Sequence, residues 1–281
     1  MSDIPSHNHD HMTKLYAPFQ PLLTDSGLQR FSLEMQQCPP SKYLSGIVHS
    51  YLQVHTPKPT PYPMIPDGTQ ALFVSQVSTR LSGGIRQAIS LQLPAPGEYF
   101  GVRFYPGALR HFFKLNLGEI GNRLVEARFL PARFLARLHE HLYQQIDFQQ
   151  RALHCDQWLL RQLEMQPLGI FDQALACIYK SRGNIEIDRV LARDIGVSSR
   201  HLNRLFQQHT GLSTKSFAQT IRFQHISKQL SGQPKSSLKA ALSLGYFDQA
   251  HLLKDFKRRV GQSPLPFFSR FMSDFYNKKS L

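Results

Sequence analysis

Two kinds of side chain in this 281-residue sequence could do chemistry: a few nucleophilic or metal-binding groups, and a large excess of basic ones. The first kind is poorly placed. Cys38, Cys155 and Cys177 are an odd number at wide spacing with no Cys-x-x-Cys pair. They suggest neither a disulfide framework nor a zinc site, and read as reduced thiols used as small apolar residues. Cys38, in Gln36-Gln-Cys-Pro-Pro40, has no neighbouring histidine or acid to lower its pKa. His139-Glu-His141 lacks the His-Glu-x-x-His spacing of a zinc protease. His7, His9 and His11 alternate in a stretch without periodicity, residues 1–13, which reads as a disordered tail that cannot fix ligand geometry. No catalytic residue, metal site or cofactor is expected.

The basic residues are concentrated. Lys plus Arg number 33 against 19 Asp plus Glu, a formal +14. Residues 166–281 carry 18 basic and 7 acidic side chains, a net +11, whereas residues 1–165 carry 15 and 12, a net +3. Such a block seeks a polyanion, with nucleic acid the leading partner. The aromatic motifs of RNA-binding modules are missing, and the basic residues do not line one face of a long amphipathic helix as a membrane-surface binder would need. No apolar run approaches the ~18 residues of a membrane span, and no secretory signal is visible, so the expected location is the cytoplasm, on the nucleoid.

Within the basic block the sequence repeats. His201-Leu-Asn-Arg-Leu-Phe206 followed by Gly211, Ser213 and Phe217 matches His251-Leu-Leu-Lys-Asp-Phe256 followed by Gly261, Ser263 and Phe267, with six identities at an offset of fifty. Upstream of each copy an Ala-x-x-x-Gly spacing, Ala192 to Gly196 and Ala241 to Gly245, supplies the small contact residue and left-handed turn of a helix-turn-helix. In the first copy Ile187 to Ile195 supports, and residues 198–209 form the recognition helix with Ser198 as N-cap. Leu202, Leu205 and Phe206 face inward. Ser199, Arg200, Asn203 and Arg204 face outward, donors and acceptors suited to base edges and phosphates in a major groove. In the second copy Ser237 to Leu244 supports, and residues 248–260 recognise with Asp248 as N-cap. Gln249, Ala250, His251 and Lys254 take the equivalent exposed positions, and Lys257, Arg258 and Arg259 form a run suited to phosphates. Between the copies, Phe217, Ile221, Ile226 and Leu230 mark a connecting helix over Thr214 to Ser231.

The stretch from about Phe171 to Phe271 resembles the DNA-binding domain of the AraC/XylS family of bacterial transcription regulators. Gly196-Val-Ser-Ser-Arg-His-Leu-Asn-Arg-Leu-Phe206 and Gly245-Tyr-Phe-Asp-Gln-Ala-His-Leu-Leu-Lys-Asp-Phe-Lys-Arg258 carry the resemblance. It departs from the family pattern at Leu253 and at Phe267-Phe268. The resemblance implies an activator that binds a promoter or operator in double-stranded DNA and recruits RNA polymerase, with an N-terminal domain that senses a small-molecule effector or forms a homodimer. Ile65-Pro-Asp-Gly68 and Gly101-Val-Arg-Phe-Tyr-Pro-Gly107 look like motifs of the N-terminal domain of one branch of these regulators. Their charges, Asp67 and Arg103, are the candidates for ligand contact; a purely structural pairing is the competing reading. The alternative function is a DNA-tethered repair alkyltransferase using Cys38, since such enzymes carry a related DNA-binding domain.

The elements that must position these residues follow from the spacing of apolar and turn residues. The expected fold is α+β. Residues 14–165 form a regulatory domain: a sandwich or small barrel of strands such as 46–54, 71–77 and 99–104, then helices over residues 108–165. Phe134, Leu135, Leu138, Leu142 and Ile146, then Leu153, Leu159, Leu160 and Leu163, mark the inner faces of those helices, which either cover the sheet or offer a dimer surface. Gln166-Pro-Leu-Gly169 closes this part, and residues 166–281 form the all-α DNA-binding domain.

Overall fold

A computed structural model describes residues 15–93, 97–130, 135, 137–187, 191–232 and 241–269. The N-terminal tail with its three histidines, Phe134, and the start of the second supporting helix at Ser237 lie outside these residues. The fold is α+β as the residue pattern implies.

Among the described residues eight strands come first: β1 (Glu34–Cys38), β2 (Val48–Thr56), β3 (Thr60–Met64), β4 (Gln70–Val74), β5 (Thr79–Ser82), β6 (Ile89–Leu93), β7 (Gly97–Phe104) and β8 (Leu124–Glu126). Six of them form an antiparallel sheet in the order β1-β2-β7-β4-β5-β8, and β3 pairs with β6 in a separate ribbon. Register follows the two-residue period of side chains along a strand. On β2, Tyr51 faces one core while Leu52 and Val54 face another. Both faces are covered, which is why seven of the nine β2 residues are buried rather than every second one.

The first face packs against α2 (Leu138–Leu142) and α3 (Phe148–Gln162); a short α1 (Asp25–Phe31) precedes β1. Phe148, Ala152, Cys155 and Leu159 recur at helical spacing and meet Tyr51, Leu72, Phe100 and Val102 in one cluster. Of the two roles open to these helices, covering the sheet is the one observed. The expectation of helix throughout 108–165 is corrected. Residues 108–130 hold three 3-10 turns and the edge strand β8. Gly107, Gly118 and Gly121 break the chain there, and short apolar runs between them bury side chains without a continuous helix. Ile146 and Leu153, expected on the inner face, are exposed.

The C-terminal half is helical: α4 (Ile170–Lys180), α5 (Ala192–Ile195), α6 (Ser199–Thr210), α7 (Thr214–Gly232), α8 (Gln249–Val260) and α9 (Pro264–Ser269), with residues 241–243 also helical. The second face of the sheet packs on this half. Leu52, Val54, Tyr62 and Ile65 share a cluster with Phe223 and Ile226 of α7 and with Phe256, Phe267 and Phe268. The junction is also polar: Gln224 Nε2 donates to Pro66 O at 2.7 Å, and Phe19 N donates to Gln224 Oε1 at 2.7 Å. Arg110 and Asp172 pair across it.

Candidate nucleic-acid interface

Each helix-turn-helix unit is built by caps that the sequence spells out. In the first, Gly196 ends α5 in the left-handed region at φ 77°. No atom lies within 4 Å of where its Cβ would be, so backbone conformation alone requires glycine. Ser198 Oγ accepts from His201 N at 3.2 Å and starts α6, which Gly211 ends at φ 79°. Leu202 and Phe206 are fully buried, and the Phe206 ring packs on Phe171 and Phe217 at centroid distances of 4.9 and 5.3 Å. Arg200 and Arg204 are exposed on the opposite side, with Ser199 and Asn203 half-buried beside them. Arg204 Nη2 lies 3.2 Å from His201 Nδ1. Asn203 Oδ1 accepts from Thr214 N at 3.3 Å, so part of its carboxamide is used to start α7. His209, near the end of α6, sits edge-on to Phe171 at 5.1 Å. Burial pulls its pKa from 6.5 to about 4, helped by Arg110 and Arg204 and opposed by Asp172.

The second unit has the same frame. Gly245 at φ 78° makes the turn, and a Cβ there would lie 2.3 Å from Asn184 Oδ1. Asp248 Oδ1 accepts from His251 N at 2.7 Å to start α8, and Gly261 at φ 85° ends it. Gln249, Ala250, His251, Lys254, Lys257 and Arg258 are all exposed. His251 leans edge-on to Tyr246 at 5.3 Å. The basic run needs one correction: Arg259 is 4% exposed and faces the protein. Its Nε lies 3.2 Å from Asp255 Oδ1, and its guanidinium reaches Thr220 Oγ1 and the Phe223 ring. Asp255, four residues earlier on the helix, is on the same face and captures it.

Asp255 is the centre of a support that sequence reasoning missed. Besides Arg259 it pairs with Arg258, and it accepts from Tyr246 OH at 3.0 Å. Burial opposes its ionisation, but Arg259 and the hydrogen bonds from Arg258 and Tyr246 outweigh that and hold the carboxyl below the usual carboxylate range. The i, i+4 spacing of Asp255 and Arg259 was the available signal. The two units hang on α7, whose 19 residues span ~28 Å. Its first half, with Phe217 and Ile221, supports the first unit, and its second half, with Phe223, Ile226 and Leu230, supports the second.

Asp67 and Arg103 lie together in the β half, their charges 2.7 Å apart and nearly buried. Gln20 Nε2 donates to Asp67 Oδ2, while Thr69 N and Oγ1 donate to its Oδ1. Both line a cavity of only about 40 Å³. A larger hollow of about 320 Å³ lies between the sheet and the β3-β6 ribbon, walled by Leu52, Val54, Tyr62, Phe73, Leu91 and Phe100, with Arg80 and Glu98 as its charges. Cys38 sits half-buried on the edge strand β1, and burial and Asp156 push its thiol pKa up, the reverse of what a nucleophile needs. Among the described residues no group of His, Cys, Asp or Glu is arranged to hold a metal, and no helix is long and apolar enough to cross a membrane.

Two capped helix-turn-helix units on a connecting helix, joined to a β half, define a class. Residues 191–270 match the family described as "Helix-turn-helix domain", and residues 36–126 match "Domain of unknown function (DUF6597)". The C-terminal part is thus similar to a helix-turn-helix domain, and the β-rich part before it to a domain of unknown function. The chain is 38% identical over 93 residues to the HTH-type transcriptional regulator GlxA of Rhizobium meliloti (strain 1021), covering 32% of this chain and 29% of that protein. It is 36% identical over 87 residues to the HTH-type transcriptional regulator MtrA of Neisseria gonorrhoeae, covering 31% and 29%. The chain therefore spans under a third of the length of these relatives. The solved structure of ToxT from Vibrio cholerae aligns with 86% of this chain and 99% of its own, at 10% identity and a TM-score of 0.44.

Proposed function

We propose that the protein is a sequence-specific DNA-binding transcription regulator, an activator that places α6 and α8 in successive major grooves. One observation carries the reading: the same capped helix occurs twice on one connecting helix, each time with basic and polar side chains on its outer face. The exposed ends differ in the way that reading needs. Arg200 and Arg204 with Asn203 offer hydrogen-bond patterns for base edges; Lys257 and Arg258 offer charge to phosphates. Ser199, Gln249, Ala250, His251 and Lys254 complete the contact surface. The names of the curated relatives support transcription as the process. RNA polymerase is then the partner at the promoter, and the cytoplasmic nucleoid the location.

The 320 Å³ hollow supports control by a small-molecule effector, since it has the size and the mainly apolar lining of a ligand site. The Asp67 carboxylate is taken up by Arg103, Gln20 and Thr69, so the larger hollow is the better place for the effector.

The test is selection of duplexes from a random pool by the full chain. A selected duplex is expected to bind at least ~10³-fold more tightly than random DNA, with affinity falling steeply with salt. Arg204→Ala is expected to cost about 1–3 kcal/mol on the selected duplex and to relax base choice, while Lys257→Ala weakens all duplexes alike and lowers the salt slope by about 1. Equal effects of both substitutions on selected and random DNA would overturn the assignment of the reading face.

A further inference from the structure

The last backbone carbonyls of a helix have no partner within it, and something else must satisfy them. At the ends of both α6 and α8, one partner is the same loop. Residues 83–88 join β5 to β6 in the β half. Gly84 N donates to Thr210 O, the last residue of α6, at 2.7 Å. Ala88 N donates to Arg259 O, the penultimate residue of α8, at 2.6 Å. Between these two bonds, Arg86 N and Gln87 N both point to Asn122 Oδ1, at 2.6 and 3.3 Å. Four successive peptide steps thus carry two helix caps and an anchor to the β half.

The fit at the α6 end is close. A Cβ on Gly84 would lie 2.8 Å from Thr210 O and 3.0 Å from Leu212 Cδ1. Gln70 Nε2 donates to the adjacent His209 O at 3.0 Å, and Gly211 lies against Leu117 O, where its Cβ would come within 3.1 Å. Geometry then limits the separation of the two helix ends. Four residues reach at most about 14 Å, and with the two hydrogen bonds Thr210 O and Arg259 O lie within about 20 Å of each other.

We propose that the loop of residues 83–88 is a spacing gauge. It holds the ends of α6 and α8 at a fixed separation and angle, and so decides which distance between two DNA half-sites the protein accepts. The proposal rests on the DNA-binding reading above. It assigns Gly84, Ala88 and Asn122, all in the β half and outside α6 and α8, as positioning residues for specificity. α7 already ties the two units by packing, through Phe217 and Ile221 to the first and through Phe223, Ile226 and the Arg259–Thr220 contact to the second. The loop adds a second, non-local tie between them.

The test uses the full chain, a duplex selected by it, and derivatives with one or two base pairs added or removed between the half-sites. Each base pair moves the second half-site by ~3.4 Å and turns it by roughly 35° about the DNA axis. The wild type is expected to lose at least about tenfold in affinity on the altered spacings, and Gly84→Val and Asn122→Ala to cut that penalty to about threefold or less. Both variants are expected to keep wild-type affinity for a single half-site. Gly84→Val breaks the cap on α6 directly; Asn122→Ala removes the anchor at a half-exposed site and decides the matter if Gly84→Val fails to fold. An unchanged spacing penalty in the folded variants overturns the gauge. A gain in affinity at every spacing also overturns it, since the loop would then be holding the helices away from DNA. If the full chain enriches no duplex, the DNA-binding reading falls, and the gauge with it; enrichment with a variant-independent spacing profile removes the gauge alone.

Discussion

The two helix-turn-helix units share a frame and differ in what holds it. At the offset of fifty, Leu202 and Phe206 of α6 correspond to Leu252 and Phe256 of α8, all four buried. One turn away the correspondence breaks. Leu205 and His209 in the first unit correspond to Asp255 and Arg259 in the second. Both units have aromatic packing, Phe171 and Phe217 on Phe206 in the first and Phe223, Phe267 and Phe268 on Phe256 in the second, but only the second adds a buried ion pair tied to Tyr246 and Thr220. One backbone shape thus tolerates two chemistries of support, but the two respond differently to the loss of an atom or a proton.

The largest expected difference comes from truncation. Asp255→Ala leaves the Arg259 guanidinium buried without its carboxylate and is expected to cost about 3–5 kcal/mol of folding stability, against about 1 kcal/mol for Leu205→Ala at the matching, half-buried position. Urea unfolding of the two variants measures both; similar losses would erase the contrast.

Acid sharpens it from the other side. Arg259 stays charged at any working pH, whereas His209 is kept neutral in the folded chain with a pKa of about 4. The unfolded chain takes up a proton near 6.5 and the folded one does not, so the stability His209 supplies is full above pH 6.5 and is lost as pH falls toward 4. His49 in the β half, also pulled to about 4 by burial and Arg103 against Asp67, adds to the same loss. Between pH 7 and pH 5 the melting temperature of the wild type is expected to fall by roughly 5 °C. His209→Gln should fall less, and an identical fall would remove His209 as a cause.

The caps bring the smallest effect. Ser198→Ala and Asp248→Ala each remove one hydrogen bond at a helix start, for about 1 kcal/mol. The aspartate loss is expected to be larger by a few tenths, because its charge also faces the positive end of α8. Thermal unfolding in low and high salt separates the two parts.

Caps explain why some of this was legible in the sequence. Ser198, Gly211, Asp248 and Gly261 mark helix ends by local chemistry, and both recognition helices fall within a residue of where those signals put them. The exposed faces of α6 and α8 followed from helical period alone. Arg259 did not, because period and charge placed it outward while its fate was set by Asp255 and by Thr220, forty residues away in the chain. Residues 108–130 misled for a related reason: apolar residues at short spacing describe burial, and glycines between them let 3-10 turns and β8 achieve it. Gly84 and Ala88 were beyond any such reading. Nothing local says that two loop amides will cap two distant helices. Phe267 and Phe268 both pack around Phe256.

The apolar cluster that mixes Leu52, Val54 and Ile65 with Phe223, Ile226 and Phe256 has a thermodynamic meaning. Where two halves fill one core, neither has a melting point of its own, and heat is expected to take both in a single transition. A ligand seated between the sheet and the β3-β6 ribbon would then lend its binding free energy to the helical half as well, about 2.7 kcal/mol at a hundred times its Kd. The two halves are linked by a common free energy of folding, and that link exists before any atom moves.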